Sequence, residues 1–141
     1  MRSIIRVALS VAAAGFVLAG TVPPNARASE FEQFRTPSGN IGCVYGERNL
    51  RCDIQSRLVP APPKPKGCEL DWGGGYGLDT AGRAYVVCAG DTAIEPHSRQ
   101  IPYGTTWHRG AFRCTSKLEG LRCTNASNHG FFLSKDPSYT F

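Results

Sequence analysis

Between residues 31 and 141, short apolar or loosely alternating runs are separated by Gly, Pro, Asn and Asp, and no run follows the 3.6-residue period of an amphipathic helix. Short runs of this kind between turn residues are typical of β-strands. The pattern therefore predicts an all-β fold, a small sheet sandwich or barrel built from β-hairpins. The run 83–89 is apolar almost throughout, which predicts a strand with a central position in its sheet.

One sequence pattern occurs twice. Residues 39–52 and residues 110–123 both read Gly, three residues, Cys, six residues, Leu-Arg-Cys. If the two cysteines of a copy lie opposite each other in a β-hairpin, a four-residue loop remains, at 46–49 and at 117–120. Directly opposed strand residues have Cα atoms about 4.5–5.5 Å apart, which a disulfide can span. We therefore expect two self-stapled hairpins that brace opposite ends of the domain.

The start of the chain has the features of a secretory signal peptide. Arg2 and Arg6 precede an apolar run at 7–18, and Ala26-Arg27-Ala28 has the small-x-small form of a cleavage site. The apolar run is too short to cross a bilayer comfortably, although an uncleaved anchor is the alternative. We expect residues 1–28 to be removed. Residues 29–141 then form a single disulfide-rich β domain that is secreted or otherwise extracytoplasmic, with no transmembrane segment.

All six cysteines follow the predicted signal peptide. An even number of cysteines in an exported chain indicates a disulfide framework. The repeat assigns four of the cysteines, and the last two then pair with each other. Zinc is disfavoured because no Cys-x-x-Cys pair occurs, and we expect neither a metal nor a cofactor. The predicted disulfides are Cys43–Cys52, Cys68–Cys88 and Cys114–Cys123.

The charge of the chain changes once the signal peptide is removed. The full sequence has 16 basic and 11 acidic residues, and Arg2, Arg6 and Arg27 leave with the signal. The remaining 13 basic and 11 acidic residues give a net charge of +2. So small a charge argues against nucleic-acid or membrane binding.

Two segments in the middle of the chain have unusual composition. Residues 60–67 contain four prolines, which cannot donate to a sheet, so an extended surface connector is predicted. Residues 71–79 contain four glycines, and we expect a flexible or bulged loop that covers the core with Trp72. Carboxylates in this loop-rich region could act in pairs on a glycoside, although their spacing fits no established motif. The candidates are Asp71, Asp79, Asp91 and Glu95.

Several segments together resemble a known family. They read Thr-Pro-Ser-Gly-Asn-Ile-Gly-Cys at 36–43, Leu-Arg-Cys-Asp-Ile at 50–54, Val-Cys-Ala-Gly-Asp-Thr-Ala at 87–93 and His-Gly-Phe at 129–131. In this order they resemble a family of exported actinobacterial proteins catalogued only as a domain of unknown function. The resemblance implies an exported bacterial protein. It implies no activity, ligand or catalytic residue.

Catalysis is the weaker of two functional classes. The histidines are His97, His108 and His129, and none lies in a recognisable hydrolase motif. The cysteines are predicted to be oxidised and so unavailable as nucleophiles. A small secreted hydrolase that uses histidine as general acid or base is therefore an alternative only. A second alternative is a secreted enzyme inhibitor that presents Lys64 and Lys66 on the stiff connector.

Binding is the favoured class because aromatic residues occur in glycine- or proline-rich segments. Loop aromatics can stack on sugar rings or anchor a protein partner, although packing at the edge of the core would also account for them. The sequence therefore predicts a non-catalytic binding module for an envelope glycan or an extracellular protein. The candidate ligand-binding residues are Trp72, Tyr76, Tyr103 and Trp107.

Overall fold

The computed structural model describes residues 31–141, which contain eleven β-strands and no helix. The predicted signal peptide and its cleavage site lie outside the described residues. The prediction of an all-β fold is confirmed. The strands are β1 (Glu32–Arg35), β2 (Ile41–Tyr45), β3 (Asn49–Ile54), β4 (Trp72–Asp79), β5 (Tyr85–Cys88), β6 (Arg99–Gln100), β7 (Thr106–Arg109), β8 (Phe112–Lys117), β9 (Gly120–Thr124), β10 (Gly130–Leu133) and β11 (Tyr139–Thr140).

The strands form two sheets. The first sheet has the order β5-β4-β3-β2-β1-β6, and the second has the order β11-β10-β9-β8-β7. Strands that follow each other within β1–β5 and within β7–β11 pair antiparallel, while β6 adds to the edge of the first sheet parallel to β1. The inner faces of both sheets contribute to one apolar core. Each sheet is therefore mainly a five-stranded meander, and the two pack as a sandwich.

The repeated pattern forms two hairpins with the predicted cysteine pairing. Cys43 lies opposite Cys52 and Cys114 lies opposite Cys123, and a disulfide with a Cα–Cα distance of 4.1 Å joins each pair. All four cysteines are fully buried. The third predicted disulfide, which joins Cys68 to Cys88, is also confirmed.

Two details of the hairpin prediction were wrong. The loops have two residues rather than four, because Gly46 pairs with Asn49 through backbone hydrogen bonds of 2.9 and 3.3 Å, and Lys117 pairs with Gly120. The hairpins also do not brace opposite ends of the molecule. Each occupies the middle of its own sheet, with its disulfide facing the shared core.

Equivalent residues of the two meanders meet in the core. Phe34 lies opposite the first cysteine of its hairpin, as Trp107 does in the other sheet, and their rings are 4.5 Å apart. Tyr76 and Phe131 lie opposite the second cysteines, and their rings are 5.6 Å apart. Contact between counterparts is what an approximate two-fold relation produces. The sequence repeat therefore extends to the packing of the whole sandwich.

A polar cluster joins the two sheets at one edge. Glu32 on β1 accepts a hydrogen bond of 3.1 Å from the indole N–H of Trp107 and one of 2.8 Å from Arg109, both on β7. Arg99 on β6 lies 3.5 Å from the same carboxylate. Burial alone would raise the pKa of Glu32. The hydrogen bonds from Arg109 and Trp107 and the charges of both arginines outweigh burial, so the pKa of Glu32 is lowered.

Two predictions about individual elements were also wrong. The glycine-rich residues form the strand β4 rather than a loop, and the apolar run 83–89 forms the edge strand β5 rather than a central one. The glycines of β4 leave room for neighbours. A Cβ at Gly77 would lie 2.5 Å from Cζ of the Tyr85 ring, and one at Gly75 would lie 2.7 Å from the Cα of Asp53. Glycine is thus required here by close packing and not by loop flexibility.

The proline-rich connector lies on the surface, as predicted. It precedes the Cys68–Cys88 disulfide, which ties it to β5, and the carbonyl of Pro62 accepts a 3.1 Å hydrogen bond from the indole of Trp72. Lys64 donates to the carbonyl of Leu70 at 2.6 Å, while Lys66 is exposed. Within residues 31–141, no helix is long and apolar enough to span a membrane.

Candidate functional site

The chain between β5 and β6 crosses the outer face of the first sheet. We call residues 89–98 the covering segment. Its Ala93 is buried, and the backbone N–H of that residue donates a 2.8 Å hydrogen bond to the carboxylate of Asp53 on β3. A Cβ at Gly42 on β2 would lie 2.6 Å from the Cα of Ile94. The missing side chain at Gly42 therefore lets the covering segment lie directly on the sheet.

Arg51 links the sheet to the covering segment. Its side chain is hydrogen-bonded to both carboxylate oxygens of Asp53, at 3.1 and 2.7 Å. It also donates to the carboxylate and to the backbone carbonyl of Asp91, each at 2.7 Å. Arg51 and Asp53 are two residues apart on β3, so both side chains leave the sheet on its outer face. The covering segment supplies the third member of the cluster.

The electrostatics of the cluster keep Arg51 and Asp91 ionised. Burial alone would lower the pKa of Arg51, but the hydrogen bonds and charges of Asp53 and Asp91 outweigh burial and raise it. The hydrogen bond from Arg51, together with the positive charge of that side chain, lowers the pKa of Asp91. Asp91 is therefore a carboxylate at neutral pH and cannot serve there as a proton donor.

A cavity of about 520 Å³, which we call the Arg51 cavity, opens beside this cluster. Residues from β3, the turn after β3, the start of β4 and the covering segment line it. Charged, polar and apolar side chains all contribute. The lining includes Arg51, Asp53, Gln55, Arg57, Asp71 and Asp91, the apolar residues Ile54, Val87, Ile94 and Pro96, and the glycines Gly74, Gly75 and Gly90.

Arg57 has an unusual backbone conformation in this lining. Its φ of 64° lies in the left-handed region, which few residues other than glycine adopt. The guanidinium of Arg57 donates to the backbone carbonyl of Trp72, so it is held beside the start of β4. Asp71 precedes Trp72 and has an exposed side chain. The wall of the cavity thus contains this guanidinium as well as the carboxylate of Asp71.

The predicted aromatic residues do not lie together. Tyr76 and Trp107 are core residues with exposed fractions of 7% and 5%, and both contact other aromatic rings there. For these two side chains the structure favours core packing over ligand contact, because their rings are covered on the inner faces of the sheets. Trp72 is half-buried and follows the lining residue Asp71 without itself lining the Arg51 cavity, and Tyr103 is exposed. For Trp72 and Tyr103, ligand contact stays a prediction.

Tyr103 lines a second, smaller groove of about 300 Å³. The groove lies between the β1–β2 turn and the tip of the β8–β9 hairpin. Most of the residues that line it have polar or charged side chains, and Leu118 at the hairpin tip is highly exposed. The polar lining residues include Thr36, Ser38, Asn40, Lys117, Glu119, Ser134 and Lys135.

The candidate carboxylates are partly brought together. Asp71 and Asp91 line the Arg51 cavity, where they join Asp53. The carboxylate of Asp79 lies 3.5 Å from the hydroxyl of Tyr85, and Glu95 accepts hydrogen bonds within the covering segment. Neither Asp79 nor Glu95 lines the cavity.

The three histidines lie on different elements. His97 is in the covering segment, His108 is on β7, and His129 lies in the turn between β9 and β10, where its ring is 3.3 Å from the carbonyl of Phe141. None of them lines the Arg51 cavity. Among residues 31–141, no group of three or more His, Cys, Asp or Glu side chains is placed to hold a metal ion.

Sequence reasoning missed Arg51, Asp53 and Arg57. The alternation along β3 could have placed Arg51 and Asp53 on one face, since Leu50, Cys52 and Ile54 occupy the other. The partner Asp91 is 40 residues away, so no local signal connects it to Arg51. Three of the segments that carry the family resemblance, 36–43, 50–54 and 87–93, meet at this cluster.

Comparison with known proteins supports that resemblance. A family described as "Family of unknown function (DUF6636)" matches residues 13–141. The match confirms the likeness to a domain of unknown function, while actinobacterial origin and export stay predictions. No curated protein and no solved structure matches the chain. Any function of this chain must therefore be inferred from the geometry of the site.

Proposed function

The chain belongs to this family of unknown function, and we propose that it is an exported, non-catalytic binding module that holds an envelope or extracellular glycan in the Arg51 cavity. The observation that carries the proposal is the cavity of about 520 Å³ with charged and apolar side chains in one lining. Small-molecule sites commonly have volumes of about 300–1,000 Å³, so the cavity has room for one or two sugar rings.

The chemistry of the lining suits a sugar. Sugar hydroxyls both donate and accept hydrogen bonds, and they match carboxylates, amides and guanidinium groups. Asp71 and Gln55 offer exposed polar groups, and Arg57 adds a donor. The C–H faces of a sugar ring are apolar and can rest on Val87 and Ile94. Trp72 does not line the cavity but directly follows the lining residue Asp71, so contact between its ring and the ligand is part of the proposal.

The same lining argues against catalysis. All six cysteines are in disulfides, so none offers a thiolate nucleophile. None of the three histidines lines the cavity, and Arg51 holds Asp91 in its ionised form. Glycoside hydrolysis needs a carboxylic acid that can protonate the leaving group, a role that the lowered pKa of Asp91 denies it near neutral pH. A binding role requires no such proton donor.

The three disulfides support the export that this function needs. Structural disulfides persist in oxidising compartments such as the cell exterior and are uncommon in the cytosol. Each predicted pairing is present. A rigid, oxidised sandwich is suited to hold a site open outside the cell.

Filling the cavity tests the proposal. Gly74 lines the cavity, and a Cβ added there would meet no atom within 4 Å, so the backbone at this position accepts a side chain and Gly74→Leu is the filling variant. Gly67 in the connector is equally open and does not line the cavity, so Gly67→Leu is the matched control. The ligands are neutral, amino and acidic mono- and disaccharides, titrated against the labelled protein by NMR.

At least one sugar class should shift the amide signals of Gly74, Gly75 and Ala89. Gly74→Leu should weaken that binding about tenfold or more, which corresponds to about 1.4 kcal/mol, and Gly67→Leu should leave it unchanged. Asp71→Asn should also weaken binding, because it removes a charge-assisted acceptor. The proposal would be abandoned if no sugar class binds, or if Gly74→Leu binds as the unsubstituted protein does.

A further inference from the structure

The outer face of the second sheet repeats the arginine of the Arg51 cluster without its acidic partners. Arg122 precedes Cys123 as Arg51 precedes Cys52, so the two arginines occupy equivalent places in the two sheets. Thr124 stands where the first sheet has Asp53. In the first sheet the covering segment adds Asp91 to the arginine. The charge of Arg122 has no such neutralising partner among residues 31–141.

The charge of this face is of one sign. The strands β7–β11 contain no Asp or Glu. Arg113, Lys117 and Arg122 alternate with buried residues along β8 and β9, so they project outward, and all three are exposed. None of the three forms an ion pair with another residue of the described chain. The face is therefore basic and open to solvent.

Aromatic rings extend the basic face. Phe132 lies 5.4 Å from Tyr139, and Tyr139 lies 6.3 Å from Phe141, measured between ring centroids. The guanidinium carbon of Arg122 is 3.7 Å from the centroid of Phe141. Stacking on this ring holds the guanidinium on the face while leaving its hydrogen-bond donors available to a partner.

We propose that this face, which we call the Arg122 face, docks an extended acidic segment of a partner protein. The first sheet supplies the precedent, because there an irregular segment of the chain itself lies on the equivalent face and brings a carboxylate to the equivalent arginine. A partner segment would place a carboxylate on Arg122, a second acidic group near Arg113 or Lys117, and apolar contacts on Phe132 and Tyr139. This interaction is separate from glycan binding in the Arg51 cavity.

The test uses short poly-L-glutamate as the probe and the oxidised protein labelled for NMR. We expect amide shifts at Arg113, Thr115 and Arg122 and none in the Arg51 cavity, with affinity falling steeply as salt is raised. Arg122→Gln should weaken the interaction about tenfold or more through loss of the charged donor. The matched control is Arg48→Gln, which removes an exposed arginine from the tip of the first-sheet hairpin and should leave affinity nearly unchanged.

Other outcomes would overturn the proposal. Arg122→Gln should lose only the small stabilisation of the contact with Phe141 and still unfold cooperatively, and a loss of cooperative unfolding would mean that weakened binding reports a damaged fold. Equal weakening by Arg48→Gln would mean that only overall charge is sensed. Binding of a polyuronate or an oligonucleotide at Arg122, with no binding of polyglutamate, would assign the face to a different polymer. Absence of all binding at low salt would rule out an anionic partner.

Discussion

Removal of the Asp53 carboxylate should detach the covering segment. Asp53 is 5% exposed, and its two oxygens accept hydrogen bonds from Arg51 and from the backbone N–H of Ala93. Asp53→Ala leaves that N–H without its acceptor, at a cost of about 1–3 kcal/mol. It also removes one partner of a largely buried ion pair, for which losses of about 3–5 kcal/mol are typical. Because Arg51 keeps its ion pair with Asp91, we expect the free energy of unfolding to fall by about 3 kcal/mol in total.

Two further substitutions separate the charge from the hydrogen bond. Asp53→Asn keeps an oxygen that can accept the hydrogen bond from Ala93 but removes the negative charge. It should therefore lower the free energy of unfolding by less than Asp53→Ala does. Asp91→Ala removes the exposed partner, whose side chain is 81% accessible, and should have the smallest effect. Urea unfolding of the oxidised proteins gives the three free energies, and hydrogen exchange at the amide of Ala93 reports local opening.

We expect the loss of unfolding free energy to be largest for Asp53→Ala, smaller for Asp53→Asn and smallest for Asp91→Ala. Hydrogen exchange at the amide of Ala93 should be faster in Asp53→Ala than in the unsubstituted protein. If Asp91→Ala costs as much as Asp53→Ala, or if exchange at Ala93 does not change, the carboxylate of Asp53 is not what holds the segment. Stability that is equal in all four proteins would show that packing at Gly42 is sufficient without the polar cluster.

Two other predictions follow from contacts elsewhere in the sandwich. Because the pKa of Glu32 is lowered in the folded protein, its carboxylate stabilises the fold above the ordinary glutamate pKa of about 4.3, and this stabilisation is lost as the pH falls through the lower folded value. Glu32→Gln should therefore reduce the difference between the urea unfolding midpoints at pH 6 and at pH 3.5. An unchanged difference would contradict this. Gly75→Ala should destabilise the protein more than Gly77→Ala. At Gly75 the added methyl group meets the backbone of β3, whereas at Gly77 it meets the ring of the edge residue Tyr85, which can move aside. Thermal unfolding measures both effects, and the reverse order would show that the ring cannot move.

The hairpins could be predicted from sequence because their determinants are local. Cys43 and Cys52 fix each other's register, and the second copy at Cys114 and Cys123 repeats the same spacing. The loop length could not be predicted because Gly46 and Asn49 can either belong to the loop or form the last hydrogen-bonded pair of the strands. Only the backbone hydrogen bonds between them show that they form such a pair.

The remaining errors arise from contacts between distant parts of the chain. The glycines of β4 indicate a loop by composition, yet they serve to admit the ring of Tyr85 and the backbone of β3. The apolar run of β5 indicates a central strand, but no strand follows it in the sheet. The Arg51 cavity could not be predicted because it depends on residues 40 positions apart, Arg51 and Asp91, that meet only after the covering segment crosses the sheet.

The approximate two-fold relation makes the core of this protein resemble the interface of a homodimer held within one chain. Each meander presents an inner face that fits its counterpart, as the contacts of Phe34 with Trp107 and of Tyr76 with Phe131 show. Two chains that exchanged β7–β11 would therefore form the same core contacts twice. The linker for such an exchange is residues 101–105, because β6 before it stays paired with β1 in the first sheet. Because short hinge loops promote domain swapping, such an exchange would give a dimer that contains two copies of the sandwich.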